Sequence, residues 1–133
     1  MTREVYLIIY HSPLFPAHWA LYVPSVNNPK VGKKIHVFGD VAKGFEHEFL
    51  RNYNPTGTQR RHSLVLLAEV EDQHVVDVPG DGSQSADKTA TDGIEQMALS
   101  IPAPTKSLTS SIDEVGPHKY SWLIIKLIAF GLM

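Results

Sequence analysis

Imidazole, carboxylate, amine and hydroxyl groups carry whatever chemistry this chain performs, because its 133 residues include no cysteine. That absence excludes disulfides, thiolate zinc sites, iron–sulfur clusters and a Cys nucleophile. Seven histidines stand at positions 11, 18, 36, 47, 62, 74 and 118. Metal-binding histidines usually come at tight spacing, such as two on one helical face four residues apart, and no such pattern occurs here. His74 and Asp77 are three apart, and on an expected strand they point to opposite faces. His47 lies between Glu46 and Glu48, which favour its protonated form over metal binding. The expectation is therefore solvated or hydrogen-bonded histidines, no metal and no cofactor. Pro79-Gly80-Asp81-Gly82-Ser83 lacks the lysine and the glycine spacing of a phosphate-cradling loop and reads as an ordinary turn. Asp40, after Gly39 at a strand end, reads as a turn residue or as the orienting partner of a histidine.

The most informative pair is His18-Trp19. A histidine opening an apolar strand projects from the sheet rim while Trp19 packs behind it. His36, on the expected neighbouring strand, faces the same cleft. Two imidazoles there form a general acid/base pair, or a base and its orienting partner. The competing reading is two partly buried sheet histidines with backbone partners.

The elements that must position these residues are mostly strands. Val5 to Tyr10, His18 to Val23, Lys34 to Phe38, Ser63 to Val70 and the short His74 to Val78 carry the composition and alternation of strands. Pro24 to Gly32 reads as a hairpin connection. In Lys34–Phe38 the alternation puts Ile35 and Val37 on one face and His36 and Phe38 on the other. Asp92-Gly93-Ile94-Glu95 has capping-box spacing, and Ile94, Met97, Ala98 and Ile101 follow as one apolar helical stripe, stopped by Pro102 and Pro104. A last helix is expected from about His118–Trp122. Residues 79–92 and 102–117 are rich in turn formers and read as mobile loops. The sum is one domain over residues 1–133, α+β in class, a small antiparallel sheet packed with two or three helices.

Composition sets limits. The chain is 43% hydrophobic with a formal net charge of −2. It is long enough to bury roughly two-thirds of its unfolded surface. It lacks the basic balance expected of a nucleic-acid partner. Charge is unevenly spread, with a net of +4 over residues 1–62 and −6 over 63–133. The near-continuous apolar stretch Tyr120–Met133 is 14 residues long, short of the about 20 needed to span a bilayer. It reads as a core helix or a homodimer interface, and the default compartment is the cytoplasm.

His18-Trp19-Ala20-Leu21-Tyr22-Val23 followed by a strand bearing His36 resembles the permuted papain-like superfamily, in its lecithin:retinol-acyltransferase-like branch. More closely, the chain is similar to a family of short, uncharacterised fungal proteins. The matching stretches are Ser12 to Trp19, Ile35-His36-Val37 with Gly39-Asp40, Gly44 to Phe49 with Arg51-Asn52-Tyr53, His74 to Gly82 and Ala98 to Pro104. The resemblance implies a permuted papain-like fold with a Cys nucleophile opening the last helix. In this chain the corresponding window is His118-Lys119-Tyr120-Ser121-Trp122, with Lys119 where the Cys is expected. Thiolate chemistry is excluded, and Ser121 lies two positions out of register.

Two functions follow as expectations. The first is a cofactor-free enzyme of fungal secondary metabolism, performing a cyclisation, isomerisation or pericyclic step on a small hydrophobic molecule. His18 and His36 would be catalytic, with Trp19, Tyr22, Phe38, Lys119 and Trp122 lining the cleft. The alternative is a Cys-less pseudoenzyme that acts as a binding or dimerisation module through residues 120–133. Residual hydrolysis through Ser121 ranks last.

Overall fold

The structure, a computed structural model, describes residues 1–11, 18–40, 44–57 and 60–101. Six strands run β1 (Thr2–Tyr10), β2 (His18–Pro24), β3 (Gly32–Asp40), β4 (Gly44–Tyr53), β5 (His62–Glu71) and β6 (Ser85–Asp87), followed by helix α1 (Gly93–Leu99). They form one sheet in the order β5-β1-β2-β3-β4-β6, with every neighbouring pair antiparallel. Strands β1 to β4 are a meander, because short connections join neighbours without a crossover. The other two strands extend its edges, β5 against β1 and β6 against β4.

This architecture corrects the expected α+β, permuted papain-like fold with two or three helices: sheet dominates, and α1 is the one α-helix among the described residues. The error has two physical sources. Strand β4 was not recognised, because Glu46, His47, Glu48 and Arg51 interrupt the apolar alternation, and a buried Arg51 does not look like a core position in sequence. The expected strand at His74–Val78 is instead the end of a 3₁₀ turn followed by irregular chain. Backbone groups there pair with side chains: Val76 N donates to Asp92 Oδ2 at 2.9 Å, and Val76 O accepts from Lys33 Nζ at 3.0 Å. The expected 102–117 loop and last helix lie outside the described residues. Within the expected 79–92 loop, β6 pairs with β4. The Pro79–Ser83 turn closes through Gly82 N to Pro79 O at 2.8 Å, and Asn52 Nδ2 donates to the carbonyls of Pro79 and Ser83 at 2.8 and 3.0 Å.

Strand alternation sorts the side chains into two layers. On one face Val5, Leu21, Val23, Ile35, Val37, Phe49 and Val70 pack under Val75 and the α1 stripe of Ile94, Ala98 and Ile101. On the other, Ile8, Tyr10, Ala20, Tyr22 and Tyr53 form a second cluster with Tyr6 and Leu50. The helix starts as its sequence predicts, with the Asp92 carboxylate accepting from Glu95 N at 2.9 Å.

Four buried charges lock α1 onto the first face. Lys33 Nζ donates to both Asp92 and Glu95. Arg51 forks onto Glu95, with Nη2 to Oε1 at 3.0 Å, and its Nε reaches Asp87 of β6 at 2.9 Å. Lys33, Arg51, Asp92 and Glu95 are all buried, and two cations face two anions. A buried charge is tolerated only when its partners replace the lost water, and removing one partner leaves the other stranded. Glu95→Gln is therefore expected to lower unfolding free energy in urea by about 3–5 kcal/mol. Asp87→Asn, which loses only a half-exposed partner of Arg51, should cost less than about 1 kcal/mol.

Candidate functional site

The second face of the sheet holds the residues able to do proton chemistry. In register, β1, β2, β3 and β4 place Tyr10 beside His18, His36 beside Glu48, and Lys34 between Tyr22 and Leu50. The β3–β4 pairing that brings Glu48 opposite His36 needs glycine at its end. Gly39 has φ 134°, and a Cβ there would sit 2.2 Å from the carbonyl oxygen of Gly44, a contact no side chain tolerates.

His18 Nε2 lies 3.2 Å from His36 Nδ1, and His36 Nε2 lies 2.7 Å from Glu48 Oε1. The carboxylate accepts, so His36 carries its proton on Nε2 and its Nδ1 lone pair accepts from His18 Nε2–H. That assignment leaves a lone pair on His18 Nδ1 as the outer end of a Glu48–His36–His18 chain. Tyr10 stacks on the His18 ring at 5.7 Å between centroids, and Phe38 stacks on His36 at 6.3 Å. Nearby, the Tyr10 and Tyr53 hydroxyls are 2.6 Å apart, and Lys34 Nζ lies 4.5 Å from the centre of each of those two rings.

Burial sets the ionisation of this cluster. His18 is pushed down from 6.5 to about 3, first by burial and then by the charges of His36, Lys34 and Arg60. His36 is likewise pushed down to about 3 by burial and by Lys34. Glu48 pulls His36 the other way across a single hydrogen bond, but it is partly exposed and does not offset the loss of water around both rings. Lys34 falls from 10.5 to about 8, through burial and Arg60, against a smaller upward pull from Glu48. Tyr10 is raised by burial and by its bond to Tyr53. Near neutral pH the cluster therefore holds two uncharged imidazoles and the neutral Tyr10 phenol, groups that accept or donate a proton without first shedding a charge.

The sequence-predicted residues divide three ways. His18 and His36 are brought together, with Phe38 against them. Trp19 is on the opposite face, its register partner being Ile9 rather than Tyr10. Tyr22 shares the histidine face farther along the strands. It lines an open cavity of about 580 Å³ with Tyr6, Pro24, Lys30 and Leu64, whose lining includes neither histidine. Its buried hydroxyl has no hydrogen-bond partner among the described residues. Lys119 and Trp122 lie outside the described residues.

Sequence reasoning missed Glu48, Lys34, Tyr10 and Tyr53. Glu48 needed β4 to be seen as a strand. Lys34 was legible, because it alternates in phase with His36 and Phe38. His47, given no role, bonds the carbonyl of Ile101 through Nε2 at 2.8 Å, and Asp77 pairs with Arg3 at 2.8 Å. Among the described residues no group of three His, Cys, Asp or Glu is placed to hold a metal, and no helix is long and apolar enough to cross a membrane.

Fold and site together define an antiparallel β-sheet protein with a carboxylate–imidazole–imidazole chain laid across one face. It belongs to the family of unknown function DUF6540, whose profile matches residues 5–125. No curated protein and no solved structure matches the chain.

The depressed imidazoles fix a pH dependence. Between pH 6.5 and about 3 the unfolded chain binds protons on His18 and His36 that the folded chain excludes. Their contribution to stability is thus fully present above pH 6.5 and is lost as pH falls through that window, by about 1.4 kcal/mol per pH unit for each excluded proton. Urea titrations from pH 7 to 4 should show a shallower loss for His18→Gln and His36→Gln than for the wild type. Parallel slopes would mean that the rings titrate normally in the fold.

Proposed function

We propose that the protein is a cofactor-free enzyme that moves protons on a small hydrophobic molecule, as in a cyclisation, an isomerisation or a step that polarisation alone accelerates. The supporting observation is the hydrogen-bonded chain from Glu48 through His36 to His18. A lone imidazole on a sheet is commonplace. Two neutral imidazoles in series, backed by a carboxylate, form an arrangement in which the inner ring fixes the tautomer of the outer one and steadies it when it takes a proton. His18 would be the acid/base group that touches substrate, with His36 and Glu48 as positioning residues. The neighbouring cavity beside Tyr6 and Tyr22 offers room for an apolar body. Such chemistry needs no thiol, which suits a chain without cysteine. The protein would act in the cytoplasm on a natural-product intermediate.

A second reading, a binding or dimerisation module, draws on β5. This edge strand leaves Leu64, Val65 and Leu66 exposed in succession, and an apolar edge invites pairing with another chain. Light scattering separates the two: a mass that doubles with concentration, and reverts on Leu66→Lys, favours the module.

Phenylacetone in D₂O tests the enzyme directly, since removal of its α-hydrogen reports base catalysis by deuterium uptake in NMR. The wild type should exceed free imidazole at equal concentration. His18→Gln should lose about 10²–10⁴-fold of the excess while its thermal unfolding stays cooperative. Exchange no faster than imidazole, or unchanged in His18→Gln, overturns the proposal.

A further inference from the structure

Every other buried basic side chain of the described sheet has a carboxylate. Arg3 pairs with Asp77, Lys33 with Asp92 and Glu95, and Arg51 with Glu95 and Asp87. Lys34 is equally buried, yet among the described residues its Nζ meets no carboxylate at ion-pair distance. It sits between the faces of Tyr10 and Tyr53. Aromatic faces hold a cation weakly compared with a carboxylate, and they leave the nitrogen lone pair free of a bound anion once the proton departs. Tyr10 also stacks on His18, and Lys34 and His36 are two residues apart on the same face of β3, so amine and imidazole chain are one cluster. The cavity lining reaches Tyr22, the register partner of Lys34, and stops short of Lys34 itself.

We infer that Lys34 is a covalent carbonyl-capturing residue, and that the substrate of this site is an aldehyde or ketone held as an imine. The inference deepens the function proposed above and rests on it for proton transfer. The Lys34 nitrogen adds to the carbonyl carbon, a C–N bond forms, and the C=O π pair moves to oxygen, which takes a proton from solvent. The proton lost from nitrogen passes to His18. The carbinolamine hydroxyl then takes a proton from His18 and leaves as water while the nitrogen lone pair closes the C=N bond. One water is released and no oxidant or reductant is consumed. The iminium so formed acidifies the adjacent C–H, which is the proton that His18 would move. Lowering of the Lys34 amine to about 8 supplies free base near neutral pH, a condition that an ordinary surface lysine does not meet.

Reductive trapping tests this on the intact chain. The protein is incubated at pH 7.5 with hexanal and sodium cyanoborohydride, and the modified lysines are mapped by tandem mass spectrometry. Lys34 is expected to be alkylated at least 10-fold faster than exposed Lys88, with ion-paired Lys33 the internal control that stays unmodified. Lys34→Arg keeps a cation between the tyrosines and should lose the fast label. Labelling of Lys88 ahead of Lys34 in the wild type overturns the inference, whatever the variant does. The phenylacetone assay separates this failure from that of the relay. Deuterium uptake that persists in Lys34→Arg, with no fast label in the wild type, removes the amine and leaves the imidazole chain. A fast Lys34 label with exchange indifferent to His18→Gln keeps the amine and removes the chain.

Discussion

The structure depends on the meeting of Lys33 and Arg51 with Asp92 and Glu95 beneath α1. These four charges are shut away from water, and each is tolerable only because the others stand at hydrogen-bonding distance. The cluster ties three parts of the chain that hydrophobic packing alone would leave free to slide: β3, β4 and the segment from Val76 to the helix. A helix of seven residues has little stability of its own. Its place on the sheet is set by Glu95 and by Asp92, which caps the helix and at the same time binds Lys33 and Val76.

The consequence reaches through the sheet. Neighbours in a strand face opposite ways, so fixing Lys33 on one side fixes Lys34 on the other. Fixing Arg51 on β4 in the same way fixes the phase of Glu48, three residues earlier. The registry that seats the buried ions is therefore the registry that brings His36 against Glu48 and His18 against His36. One face carries charges that neutralise each other. The other carries two imidazoles left neutral because burial denies them charge, beside the Lys34 amine and the Glu48 carboxylate.

How much of this was legible follows from what alternation can and cannot encode. Strands β1, β2, β3 and β5 announce themselves by runs of β-branched and aromatic residues, and the convergence of His18 and His36 follows from two adjacent strands in phase. The Asp92 cap and the Ile94–Ile101 stripe were equally plain. Strand β4 is hidden because its sequence looks like a charged surface, and its inward Arg51 is neutralised only in the company of Glu95, 44 residues away. With β4 went Glu48 and Tyr53, two of the six members of the polar cluster. The contrary error, a strand at His74–Val78, came from composition that favours extension where side chains of other elements had already taken the backbone hydrogen bonds. Pairwise partners distant in sequence decide both cases, and local pattern does not hold that information.

The hydroxyl of Tyr22 has a separate meaning. Buried and without a partner among the described residues, it forfeits the hydration it enjoyed in the unfolded chain, a cost of about 1–3 kcal/mol. Phenylalanine at this site would keep the ring contact with Tyr53 and shed that burden. That oxygen works against the rigidity of the described sheet, beside an open cavity on the face where the reactive groups gather. Robustness and whatever that oxygen does there are opposed demands on a single atom.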